Sequence, residues 1–182
     1  MMRLFIAINF SKEMKQELRE VIQNLKEESV SGNFTRTENM HLTLAFLGEL
    51  PDQVVDDIIK AMEETATLSS PFTMELSQLG KFRIHGENLY WCGVTENESL
   101  RKIQKLLVGN LRTYRIPFDH KEFQPHITLG RRCKMKQDFN ENVFNEGIKP
   151  MKMTVDTISL MKSERIEGKL CYTSLIDVKL PG

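Results

Sequence analysis

The chain has 182 residues, enough for one domain with a sizeable core and no need of disulfide staples. Its 25 Lys and Arg balance 25 Asp and Glu, which excludes the broad positive field of a protein that coats long nucleic acid. Contact with RNA would then be confined to an end. Cys92, Cys133 and Cys171 lack the paired spacing of zinc or redox motifs and read as reduced thiols filling small core positions, which suits a cytoplasmic setting.

In chain order, residues 4–8 form a short apolar run with the character of a buried strand. The charged stretch 11–28 that follows argues against a signal peptide or a spanning helix, so a soluble chain with no membrane contact is expected. Met14, Leu18, Val21, Ile22 and Leu25 recur at helical spacing behind a candidate N-cap, Ser11. Residues 40–47 read as a second strand ended by Gly48, and Pro51 opens a helix with Val54, Val55, Ile58, Ile59 and Met62 on one face.

Residues 72–79 and 89–94 are strand-like and flank the polar segment 81–88, which predicts a hairpin with a long loop. Leu100, Ile103, Leu106, Leu107, Leu111 and Tyr114 mark a third helix. Residues 126–129 read as a strand, and 151–161 with 170–178 as a closing hairpin around Gly168.

A shift of 85 positions lays His41-Leu42-Thr43-Leu44 on His126-Ile127-Thr128-Leu129, and Leu4-Phe5 on Leu89-Tyr90. This internal repeat, about 1–88 and 89–178, predicts one domain made of two pseudo-symmetric lobes. The expected fold class is α+β: bilobal, with two antiparallel sheets, helices on the outside and a central cleft.

In a strand, residues i and i+2 share a face, so His41 with Thr43, and His126 with Thr128, each present an imidazole and a hydroxyl together. Leu42, Leu44 and Phe46 are then assigned to the core. A single His-x-Thr in an apolar strand is more often a packed, hydrogen-bonded histidine than a catalytic one. Repetition in one register favours function, because both copies keep a polar pair where a strand favours Val or Ile. A neutral imidazole can take a proton from water while a protonated one gives a proton to a leaving oxygen, which is the requirement of phosphodiester cleavage. The threonine hydroxyls can donate to the non-bridging phosphate oxygens. Two histidines without a third ligand do not make a zinc site, and neither a metal nor another cofactor is expected. His85 and His120 have no motif partner and read as surface residues.

These residues carry a family resemblance. The segments Arg3-Leu4-Phe5-Ile6-Ala7-Ile8, Asn39-Met40-His41-Leu42-Thr43-Leu44-Ala45-Phe46-Leu47-Gly48-Glu49 and Pro125-His126-Ile127-Thr128-Leu129 resemble the two-histidine phosphoesterases, and within them the bacterial RNA 2′,3′-cyclic phosphodiesterases, also called 2′-5′ RNA ligases. The resemblance implies metal-free hydrolysis of RNA or nucleotide 2′,3′-cyclic phosphate ends to a 2′-phosphate, with reverse 2′-5′ ligation possible. It implies His41 as proton donor and His126 as proton acceptor. The expected partners are RNA ends or small cyclic nucleotides, with no obligate protein partner and a monomeric state.

Arg131 sits where similar proteins place an arginine after the second motif, although strict alternation puts it on the face opposite His126 unless the strand bulges. Tyr172 resembles a tyrosine near the family's C-terminal strand and is read either as a stacking platform or as a core residue. The basic run 131–136, with Lys81 and Arg83, is read as a solvated loop or as a basic lip for an RNA end.

Overall fold

The computed structural model describes all residues 1–182. Nine strands and four helices follow in order: β1 (Met2–Asn9), α1 (Lys12–Glu27), β2 (Ser29–Phe34), β3 (His41–Leu50), α2 (Val55–Thr67), β4 (Phe72–Ile84), β5 (Glu87–Val94), α3 (Glu98–Thr113), β6 (His126–Met135), α4 (Glu141–Glu146), β7 (Met151–Val155), β8 (Thr157–Ile166) and β9 (Lys169–Lys179). One sheet has the order β3-β1-β8-β9 and the other β2-β6-β5-β4-β7, with every pairing antiparallel. The α+β class with two antiparallel sheets, expected from the sequence, is therefore observed.

The helices form for local reasons and stay for tertiary ones. Ser11 accepts from the Met14 amide at 3.1 Å and Asn97 from the Leu100 amide at 3.0 Å, so each of α1 and α3 starts on a side-chain cap. Met14, Leu18, Val21, Ile22 and Leu25 of α1 are buried, as are Leu100, Ile103, Leu107 and Leu111 of α3. One connected core of 37 buried residues includes both of these stripes and the inward faces of both sheets, so the lobes do not have separate cores.

The sheets exchange chain segments. α1 follows β1 yet packs on β2 and β7 of the other sheet, while α3 follows β5 and touches β3 of the first. The hairpin β8–β9, late in sequence, completes the sheet begun by β1 and β3, and β4, early in sequence, belongs with β5 and β6.

Several sequence-based expectations need correction. The segment 81–88 is not a long loop: β4 runs to Ile84, β5 begins at Glu87, and His85 (φ 50°) with Gly86 (φ 81°) closes a two-residue turn. Two successive positive φ angles match the right-handed twist of a tight hairpin, and Glu167 (φ 51°) with Gly168 (φ 78°) does the same between β8 and β9. The stretch 151–161 is two strands that part at Asp156 into different sheets. The basic run after the second motif lies largely in β6, up to Met135, rather than in a loop. Its Arg132 faces Glu87 at 3.6 Å, and Lys81 faces Glu141 at 2.7 Å, so this cluster is partly neutralised.

The 85-residue offset holds for the motif strands but not for their neighbours. Ala7 lies opposite Thr43 and Trp91 opposite Thr128, an offset of one residue less. Because strand faces alternate, that one-residue slip decides which side chains reach the cleft. Phe5 lines it on β1, Ala7 packs beside Phe5 on the same side, and Trp91 is the counterpart of Ala7 on β5, whereas Tyr90 is core.

Candidate active site

β3 and β6 each deliver one His-x-Thr pair into a cleft of about 930 Å³, and His41, Thr43, His126 and Thr128 all line it. Along each strand the intervening leucine or isoleucine is buried and the polar pair is half-exposed, the alternation that motif spacing requires.

Both strands then break the alternation at the same place. Leu44 and Ala45 are both buried, and Ile6 and Ala7, adjacent on β1, pair with Ala45 and Thr43, which skips a residue. Leu129 and Gly130 are likewise both buried, and Tyr90 and Trp91 pair with Gly130 and Thr128. Each is a β-bulge, one extra residue that swaps the faces beyond it. The first bulge turns Phe46 toward the cleft, contrary to its assignment to the core, and it packs with Phe5, Ala7, Met161 and Tyr172 there. The second does the same for Arg131, so the arginine shares the cleft with His126 in spite of the odd spacing.

Each imidazole is held at Nδ1. His41 Nδ1–H donates to the Asn39 carbonyl at 2.8 Å, and His126 Nδ1–H donates to the Gln124 carbonyl at 2.6 Å. A carbonyl cannot donate, so it selects the tautomer with the proton on Nδ1 and leaves Nε2 toward the cleft. At the first site the Thr43 hydroxyl donates to His41 Nε2 at 3.0 Å.

Aromatic rings brace both histidines. Phe5 lies 4.8 Å from His41 and Tyr172 meets it edge-on at 5.1 Å. Phe82 and Trp91 approach His126 at 5.4 and 6.2 Å. Trp91 depends on Gly80, where a Cβ would meet its ring at 2.2 Å. Burial lowers the pKa of His41, partly offset by the Asn39 carbonyl. Burial raises that of Tyr172, against the opposing pull of Arg131 and Arg3, which places both guanidinium groups within electrostatic reach of its hydroxyl.

Tyr172, read equally as core or platform, therefore lies in the cleft wall. His85 and His120 are exposed and outside it, as expected. The sequence reading missed Arg3, Phe5, Arg36 and Asn39 in this cleft, and Phe82 and Trp91 beside His126. Arg3 and Asn39 lie within the segments of the resemblance, but only pairing across strands shows their direction. Arg3, Arg36, Arg131, Lys162 and Arg165 outnumber Glu49 and Glu164 on the lining, so a chain of balanced charge presents a basic cleft suited to an anion. No three His, Cys, Asp or Glu side chains converge to offer a metal-binding set. No helix is long and apolar enough to cross a membrane.

Similar proteins share this geometry's frame. A curated RNA 2′,3′-cyclic phosphodiesterase of Thermotoga maritima is 28% identical over 182 residues, covering 100% of this chain and 97% of that protein. One of Thermus thermophilus is 31% identical over 187 residues, covering 100% and 91%. A solved structure from Thermus thermophilus superposes with a TM-score of 0.79 at 27% identity, covering 98% of both chains. Escherichia coli LigT complexed with 3′-AMP shares the fold at a TM-score of 0.81 and 23% identity, covering 100% and 99%. A family model of the 2′-5′ RNA ligase superfamily matches residues 13–167, which include both His-x-Thr strands, and the chain belongs to that superfamily.

Proposed function

We propose that this chain is an RNA 2′,3′-cyclic phosphodiesterase that opens a terminal 2′,3′-cyclic phosphate to a 2′-phosphate with two histidines and no metal. The observation that carries this reading is the matched presentation of the imidazoles: two bulged strands that line one cleft, each with Nδ1–H on the carbonyl two residues earlier, so that Nε2 is the nitrogen available for proton transfer. The names of the full-length relatives supply the substrate class.

In the proposed reaction the phosphate lies between the strands. His126 Nε2 accepts a proton from water as its oxygen bonds to phosphorus, and protonated His41 gives its Nε2 proton to the departing 3′-oxygen. Burial disfavours the His41 cation, and the negative charge of a bound phosphodiester opposes that effect. Thr43 and Thr128 donate to the non-bridging oxygens, where charge accumulates. Arg131 holds the phosphate, and Tyr172 supports the ribose or base. A 5′-hydroxyl in place of water, activated by the same His126, gives 2′-5′ ligation. The two lobes are read as products of one duplication, acting as a single domain and a monomer on RNA ends or small cyclic nucleotides.

The test is incubation with a 2′,3′-cyclic nucleotide and with a cyclic-phosphate-ended oligoribonucleotide in EDTA. Conversion to the 2′-phosphorylated product at the rate seen without chelator is expected. Tight binding with no cleavage would instead make the chain an RNA-end binding module.

A further inference from the structure

The two histidines are anchored alike at Nδ1 but not equally secured behind it. The anchor of His41 is the Asn39 carbonyl, in the 3₁₀ turn Thr37–Asn39 that leads into β3. The side chain of that same Asn39 donates through Nδ2 to the Leu170 carbonyl at 3.0 Å, and Arg36 donates through Nη2 to the same oxygen at 2.7 Å. Leu170 belongs to β9, two residues before Tyr172, whose ring meets His41 edge-on at 5.1 Å. A closed circuit results: turn, Leu170 carbonyl, Tyr172, His41, and back to Asn39. On the His126 side, Gln124 offers its carbonyl, but its side chain makes no hydrogen bond that ties the anchor to another element.

We infer that Asn39 and Arg36 are positioning residues that lock the β8–β9 hairpin onto the turn before β3, and so fix the ring orientation and tautomer of His41. The inference rests on reading His41 as a catalytic group, and it deepens that reading by dividing its support between a ring and a clamp. A carbonyl has two lone pairs, so both donors can act on Leu170 at once, and either alone retains part of the connection. Arg36 brings a charged donor, and such hydrogen bonds are the stronger kind. Because the hairpin also lines the cleft through Lys162 and Arg165, the same lock sets where that wall stands.

The test combines imidazole nitrogen NMR with kinetics on a 2′,3′-cyclic nucleotide, for Asn39→Ala, Arg36→Ala, Arg36→Lys and the double variant Asn39→Ala with Arg36→Ala. In the wild type the His41 ring reads as the Nδ1-protonated tautomer. Each single alanine is expected to lower kcat by about 3- to 10-fold through loss of orientation, with KM changed less for Asn39→Ala, and Arg36→Lys to recover most of the loss. The double variant is expected to lose more than the product of the singles and to show a mixed His41 tautomer, because the shared acceptor then loses both side-chain donors. An unaltered His41 tautomer and wild-type kcat in the folded double variant overturn the clamp and leave the two-histidine reading intact. Failure of that reading shows separately, as undiminished turnover in His41→Ala. The NMR signature does not depend on turnover at all.

Discussion

The half that carries His41 and the half that carries His126 build the same device from unlike parts. Both strands place His and Thr on one face, bulge just beyond the threonine, and hand Nδ1 to a carbonyl two residues back. Around that shared frame the packing diverges. His41 has Phe5, Tyr172 and a Thr43 hydroxyl on Nε2, while His126 has Phe82 and Trp91 and no side-chain hydroxyl on Nε2. After the bulge the first half presents Phe46, with the Arg3 guanidinium 4.8 Å above its ring, and the second presents Arg131. The backbone thus supplies symmetry, and side chains break it into one imidazole whose Nε2 already meets a hydroxyl and one whose Nε2 does not.

Four predictions bear on this comparison. The largest effect is expected for His41→Ala and His126→Ala, each of which should lower kcat by about 10²- to 10⁴-fold, the range for a general acid or base. Equal losses sharpen the symmetry; a near-normal rate in either variant breaks it.

Thr43→Val and Thr128→Val come next, at about 10²-fold or less in kcat for loss of one donor to the developing charge. Thr43 also holds His41 Nε2 at 3.0 Å in the free protein, so Thr43→Val should be the more costly of the two. A larger loss at Thr128 would mean that the resting hydrogen bond has no bearing on the reaction.

The third concerns pH. His41 must be protonated to donate, and burial lowers its pKa in the free protein, so the alkaline limb of kcat/KM should fall at lower pH than the alkaline limb of kcat, where bound phosphate opposes the burial. Coincident limbs would remove the proposed effect of substrate on His41. The smallest effect concerns the helices: Ser11→Ala and Asn97→Ala should each destabilise by about 1 kcal/mol in chemical unfolding, matched because each cap accepts from the amide three residues on, at 3.1 and 3.0 Å. A clearly unequal pair would show that the two helices are not equivalent in energy.

The His-x-Thr pairs were legible in the sequence because a polar i, i+2 pair inside an apolar strand is a local signal that needs no partner. The Ser11 cap of α1 and the buried stripes of α1 and α3 were legible for the same reason, whereas the Asn97 cap of α3 was not read from the sequence. The bulges were not, since they exist only in the pairing between strands, and with them went the facing of Phe46 and a decision on Arg131. The one-residue slip between β1 and β5 was hidden because Leu4-Phe5 and Leu89-Tyr90 match as letters but not as faces. β2 was missed because Ser29-Val30-Ser31-Gly32-Asn33-Phe34 has almost no apolar pattern; it forms as an edge strand by pairing with β6. The tight β4–β5 turn was masked by Lys81 and Arg83, which extend the strand past its buried section. The clamp on Leu170 joins residues more than a hundred positions apart, and no local pattern marks it.

The central claim, that His41 and His126 act together in one displacement, is tested most directly by a double-mutant cycle on a cyclic-phosphate-ended oligoribonucleotide in the presence of a chelator. The variant lacking both imidazoles is expected to be scarcely slower than the slower single variant, because loss of either proton transfer already disables the step. Losses that multiply, with the double variant slower by the product of the two singles, would contradict it and assign the histidines to independent roles.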